Sequence, residues 1–113
     1  MIDFACKKLD LNEVIRCGFG ITKTEHDILV FLLKTEWATA DLVAKKLSLS
    51  LATSQRSLKT LFEKNLIERR QQNLDKGGYL FFYGAKDKKL IKQELRTILD
   101  GWFKNVDSSL ERW

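Results

Sequence analysis

Between positions 45 and 76 stand eight basic residues, Lys45, Lys46, Arg56, Lys59, Lys64, Arg69, Arg70 and Lys76, against three acidic ones, Glu63, Glu68 and Asp75. This stretch carries a net charge of +5, equal to that of the whole 113-residue chain. Residues 1–44 sum to −2 and residues 77–113 to +2, so the excess is local. Ammonium and guanidinium groups gathered in this way neutralise phosphates. Arginine and glutamine on a helix surface also hydrogen-bond base edges in pairs, arginine to guanine and glutamine to adenine. Gln55 and Arg56 are therefore candidate base readers, with Thr53, Lys59 and the capping Ser50 beside them. Lys45, Lys46, Arg69, Arg70 and Lys76 are candidate phosphate contacts that set register.

The elements that must position these side chains follow from caps and periodicity. Thr39 is a natural N-cap, with Asp41 in the first turn where negative charge suits the helix dipole. Leu42, Val43 and Leu47 make the inner stripe of this helix. Ser48-Leu49-Ser50 forms a turn, with Leu49 inward and Ser50 capping a second helix. In that helix Leu58, Leu61 and Phe62 face inward, with Ser54 on the same side. Ala52, Thr53, Gln55, Arg56, Lys59 and Thr60 face outward, and Leu51 suits either side. Residues 66–73 and 79–83 read as strands. Asp75-Lys76-Gly77-Gly78 closes them into a hairpin, the glycines supplying positive φ. A helix-turn-helix followed by a basic hairpin is an arrangement that grips duplex DNA.

Upstream, residues 4–17 place Phe4, Leu9, Leu11, Val14 and Ile15 among charges. They suit a short amphipathic helix starting near Asp10 and ended by Gly18 to Gly20. Thr22-Lys23-Thr24-Glu25 fits a capping box. The following helix carries Ile28, Leu29, Phe31, Leu32 and Leu33 on a broad core face, with His26 as a surface or cap-region residue. Trp37 falls in a short extended stretch suited to pair with the hairpin as a third strand.

After Lys86 a long helix begins, about 40 Å in length at 1.5 Å per residue. Ile91, Leu95, Ile98, Trp102, Val106, Leu110 and Trp113 follow each other at spacings of 4, 3, 4, 4, 4 and 3. That is a heptad seam with one slipped step. Leu90, Leu99 and Phe103 widen it beyond what so small a domain covers, so a homodimer interface is expected there.

Composition bounds the rest. Hydrophobic residues make up 44% and charged residues 31%, which is globular and not disordered. There is no proline to break a helix. No apolar run approaches membrane-span length, so a soluble, cytoplasmic protein is expected. Two cysteines, Cys6 and Cys17, and one histidine offer no disulfide framework or metal cluster. The cysteines read as small apolar residues on a packed N-terminal segment, with a redox or metal switch as the alternative. With no phosphate loop or catalytic constellation, neither an enzyme nor a cofactor is expected.

The chain resembles small archaeal winged-helix transcriptional regulators of the TrmB-like and MarR-like kind. The likeness is carried by residues 20–25, residues 38–47, Thr53 and Arg56, residues 61–70, and the return strand 78–83. It implies a mainly α fold with a small β-hairpin wing (α+β): a winged helix-turn-helix plus a long C-terminal dimerisation helix. The expected organisation is one compact domain with an N-terminal segment 1–20, a DNA-binding domain 21–86 and a dimerisation helix 87–113. Asn65 stands where the family usually has glycine, and asparagine also tolerates a left-handed cap. Larger sugar-sensing members carry an effector domain that this chain is too short to hold, so sugar binding is not expected. The implied function is sequence-specific binding of double-stranded DNA by a homodimer. The alternative is a winged-helix protein–protein module of the transcription apparatus without its own sequence readout. A small-molecule effector is left unassigned.

Overall fold

The computed structural model describes residues 2, 3, 5 and 7–113. In chain order the elements are β1 (Ile2–Asp3), β2 (Lys8–Leu9), α1 (Leu11–Phe19), α2 (Lys23–Lys34), α3 (Ala40–Leu47), α4 (Leu51–Glu63), β3 (Ile67–Asn73), β4 (Tyr79–Ala85) and α5 (Lys88–Glu111). They fall into two compact units, residues 22–88 and residues 1–21 with 89–113. No described helix is long and apolar enough to cross a membrane.

The 22–88 unit begins with the expected capping box. The Glu25 N–H donates to Thr22 Oγ1 (3.1 Å), and the Thr22 N–H donates to Glu25 Oε1 (2.9 Å). Ile28, Leu29 and Leu32 of α2 are buried, while Phe31 and Leu33 are half-buried. His26 is not a surface residue: it is only 8% exposed. It lies three residues before Leu29 and so falls on the helix's inner stripe.

Thr39 caps α3 by accepting from the Leu42 N–H at 3.2 Å. Val43 and Ala44 form the buried stripe, and Leu42 and Leu47 are half-buried at its edges. The helix stops at Ser48, which adopts φ 55°, and Ser50 opens α4 by accepting from the Thr53 N–H at 3.1 Å. Inside α4, Ser54, Ser57, Leu58 and Leu61 are buried. Phe62, expected inside, is half-buried, and the smaller Ser57 faces in instead. Ser54 Oγ donates to the Ala40 carbonyl at 2.8 Å, tying the start of α3 to α4. Asn65, at φ 61°, supplies the left-handed turn that follows the helix.

β3 and β4 pair antiparallel, from Ile67 opposite Ala85 to Asn73 opposite Tyr79. Gly77 and Gly78 take φ 92° and 80°, the positive values the turn requires. The return strand continues past Tyr83 to Ala85. The anticipated third strand is a single bridge: the Ala38 N–H donates to the Tyr83 carbonyl (2.9 Å), and the Tyr83 N–H donates to the Ala38 carbonyl (2.8 Å). Residues 35–39 are all that separates α2 from α3, too few for a longer ladder.

In the other unit, Asp10 caps α1 by accepting from the Glu13 N–H at 2.8 Å. The helix ends at Gly20, at φ 66°, and runs straight through Gly18. The stop expected at residues 18–20 is thus supplied by Gly20 as the left-handed cap. A Cβ at Gly18 would collide with Leu95 Cδ1, so glycine admits the close approach of α5. Leu9, Val14 and Ile15 are half-buried and Leu11 is exposed. Cys17 is exposed and unpaired, not packed inside. Phe4 and Cys6 lie outside the described residues. A two-residue antiparallel ladder joins β1 and β2, an element that the sequence pattern does not predict.

Candidate nucleic-acid interface

The buried side of α4 leaves an outer face made of Leu51, Ala52, Gln55, Arg56 and Lys59, all exposed. Gln55 and Arg56 thus point away from the core. Thr53 and Thr60 are half-buried, and the hydroxyl of each is hydrogen-bonded to a near neighbour in sequence. Ser50 Oγ and Thr53 Oγ1 are hydrogen-bonded at 2.8 Å, and Arg56 Nη2 donates to Thr53 Oγ1 at 3.4 Å. Thr60 Oγ1 donates to the Arg56 carbonyl at 3.2 Å. Ser50 and Thr53 therefore shape the first turn and steady Arg56.

Two of the lysines are paired along their helices, Lys45 with Asp41 (3.1 Å) and Lys59 with Glu63 (4.0 Å). Exposed pairs of this kind contribute little stability and exchange readily for another anion. Lys46 and Lys76 are exposed, Lys76 in the hairpin turn.

Arg69 and Arg70 are each held by their own aromatic partners. Successive residues of a strand point to opposite faces, and each guanidinium meets different aromatic rings. Arg69 lies between Phe62 and Phe81, 4.5 Å and 4.3 Å from the two ring centroids. Arg70 stacks on Trp37 at 4.2 Å. Trp37 in turn lies against Gly84, where a Cβ would come within 3.1–3.2 Å of the indole and of the Glu36 carbonyl oxygen. These rings hold both charges in place without neutralising them. Trp37, Phe62, Phe81 and Gly84 thus support the site without belonging to its charged or base-reading set. A glycine inside a strand is a signal of close approach.

The α5 seam divides. Ile91 is buried, and Leu95 and Ile98 are half-buried, within the chain itself. Trp102, Val106, Leu110 and Trp113 are exposed, as is Phe103 at 62%. Among the described residues, no group of three or more His, Cys, Asp or Glu side chains is placed to hold a metal ion.

Residues 15–89 match a family model described as the sugar-specific transcriptional regulator TrmB. A possible transcriptional regulator from Methanosarcina mazei is 36% identical and superposes with a TM-score of 0.93, covering 100% of this chain and 96% of that one. An uncharacterized protein of Methanocaldococcus jannaschii is 27% identical over 88% of this chain and 82% of its own length. The fold also matches that of an S. aureus MepR mutant bound to an oligodeoxyribonucleotide, at 19% identity and TM-score 0.58, over 86% of this chain and 71% of that one.

Proposed function

The chain belongs to the TrmB family of transcriptional regulators, with a winged-helix fold, and from that premise we propose that it reads specific sequences in double-stranded DNA as a homodimer. The family and fold are those of regulators and not of enzymes. The observation that carries the proposal is the outer face of α4, where Gln55 and Arg56 stand exposed on a helix whose opposite side is fully packed. Such a face enters the major groove, where Gln55 addresses adenine and Arg56 guanine. Lys45, Lys46, Arg69, Arg70 and Lys76 contact phosphates and fix the register. The MepR structure supports DNA as the partner for this fold.

Dimerisation uses the exposed part of α5, Trp102, Val106, Leu110 and Trp113, because an apolar stripe of that size calls for a cover. Ile91, Leu95 and Ile98 extend the seam towards the parts already covered by the chain itself. A two-fold dimer reads a pseudo-palindrome with half-sites about one helical turn apart. The place of action on this reading is the cytoplasm.

Selection from random duplexes tests the proposal. Enrichment of a pseudo-palindromic motif is the expected result. A protein that enriches no motif yet still captures other proteins through α5 would instead be a protein–protein module.

A further inference from the structure

At the head of α4 stands an apolar residue that the core does not use. Leu51 is 46% exposed, although Leu58 and Leu61 of the same helix are completely buried. Ala52, next to it, is also exposed. The first turn contains no acidic residue, so nothing there repels the electron-rich edges of bases. The position of this apolar tip is set by the backbone around it. Ser50 caps the turn through the Thr53 N–H (3.1 Å), and Ser54 Oγ anchors it to the Ala40 carbonyl (2.8 Å). Leu51 is thus held outward by a fixed turn.

We propose that Leu51, with Ala52 beside it, is a specificity-determining residue that packs on the 5-methyl group of thymine in the major groove. That methyl is the one apolar feature a base pair presents there, and apolar side chains recognise it by contact. The inference rests on the DNA-reading proposal above and adds a base to it. Leu51 and Gln55 lie four residues apart on one stripe of α4, about 6 Å along the axis at 1.5 Å per residue. At about 3.4 Å per base along a strand, this is roughly two base steps. The recognised thymine therefore lies about two base pairs from the pair that Gln55 addresses.

The test replaces each thymine of the selected half-site in turn by uracil, which removes only the methyl. Binding of wild type and of Leu51→Ala is followed by fluorescence anisotropy. One thymine, about two base pairs from the position whose preference is lost in Gln55→Ala, is expected to lose about fourfold in affinity on demethylation, the effect of one buried methyl. Leu51→Ala is expected to bind the thymine and uracil duplexes equally while retaining its preference at the Gln55 position, which shows that the fold is intact. Uracil tolerated everywhere by wild type, or a thymine preference that persists in Leu51→Ala, overturns the inference and leaves DNA reading standing. Failure to select any site overturns both.

Discussion

The guanidinium carbon of Arg70 sits over the indole ring of Trp37, 4.2 Å from the ring centroid, and the absence of a side chain at Gly84 leaves room for the indole. Three residues from three separate segments thereby fix one positive charge on the hairpin. A guanidinium held on a ring has already lost much of its rotational freedom, so less is lost when it meets a phosphate.

A side chain at position 84 removes that room. Gly84→Ala places a methyl within 3.1–3.2 Å of Trp37 and of the Glu36 carbonyl oxygen. We expect a loss of about 1–2 kcal/mol in urea denaturation, in the range of overpacked sites. Unchanged stability would show that Trp37 shifts freely and is no fixed support.

Trp37 and Arg70 should be energetically coupled. A double-mutant cycle of Trp37→Ala and Arg70→Ala is expected to give an interaction of about 0.5–1 kcal/mol in stability, the value of a surface cation–π contact. Strict additivity of the two losses would contradict the stacked geometry.

The two hairpin arginines are expected to set salt dependence and not sequence preference. If each subunit neutralises about four phosphates, the logarithm of affinity falls with that of salt at a slope on the order of −7. Arg69→Ala should reduce the slope by about one per subunit and weaken all duplexes alike. An unchanged slope would remove Arg69 from the phosphate contacts.

Ser54 is buried and donates to the Ala40 carbonyl at 2.8 Å, so it couples α4 to α3. Ser54→Ala deletes that bond and leaves the carbonyl without this donor. A loss of about 1–2 kcal/mol is expected by denaturation. A neutral result would mean that another donor takes its place.

Much of this arrangement is legible in the sequence because it is specified locally. Thr22, Thr39 and Ser50 mark helix starts through bonds to residues three positions on, and Gly77-Gly78 marks the hairpin by backbone conformation alone. Contacts that join distant segments left weaker traces. Arg69 and Arg70 are visibly basic, yet their rings come from positions 37, 62 and 81. His26 lies in the first turn of α2, where a surface or cap-region place is the simple expectation, although its place three residues before Leu29 puts it on the inner stripe. Gly18, one residue before the end of α1, packs against Leu95 of α5, a contact between distant positions that no local pattern marks. The β1–β2 ladder is too short for any periodicity to announce it.

The dimer proposal has its own test. Leu110→Glu places a charge in the exposed α5 stripe. Sedimentation equilibrium should report a dimer for wild type and a monomer for the variant, with far-UV circular dichroism unchanged. Wild type sedimenting as a monomer would contradict the proposal.

The central claim, that the outer face of α4 reads bases, is tested most directly by titrating wild type and Arg56→Ala against a selected duplex and a scrambled one at a fixed salt concentration. Wild type is expected to prefer the selected duplex by about a thousandfold or more. Arg56→Ala is expected to lose about 1–3 kcal/mol on the selected duplex, with far less change on the scrambled one. Equal affinity of wild type for both duplexes, or an equal loss on both for Arg56→Ala, would contradict that claim.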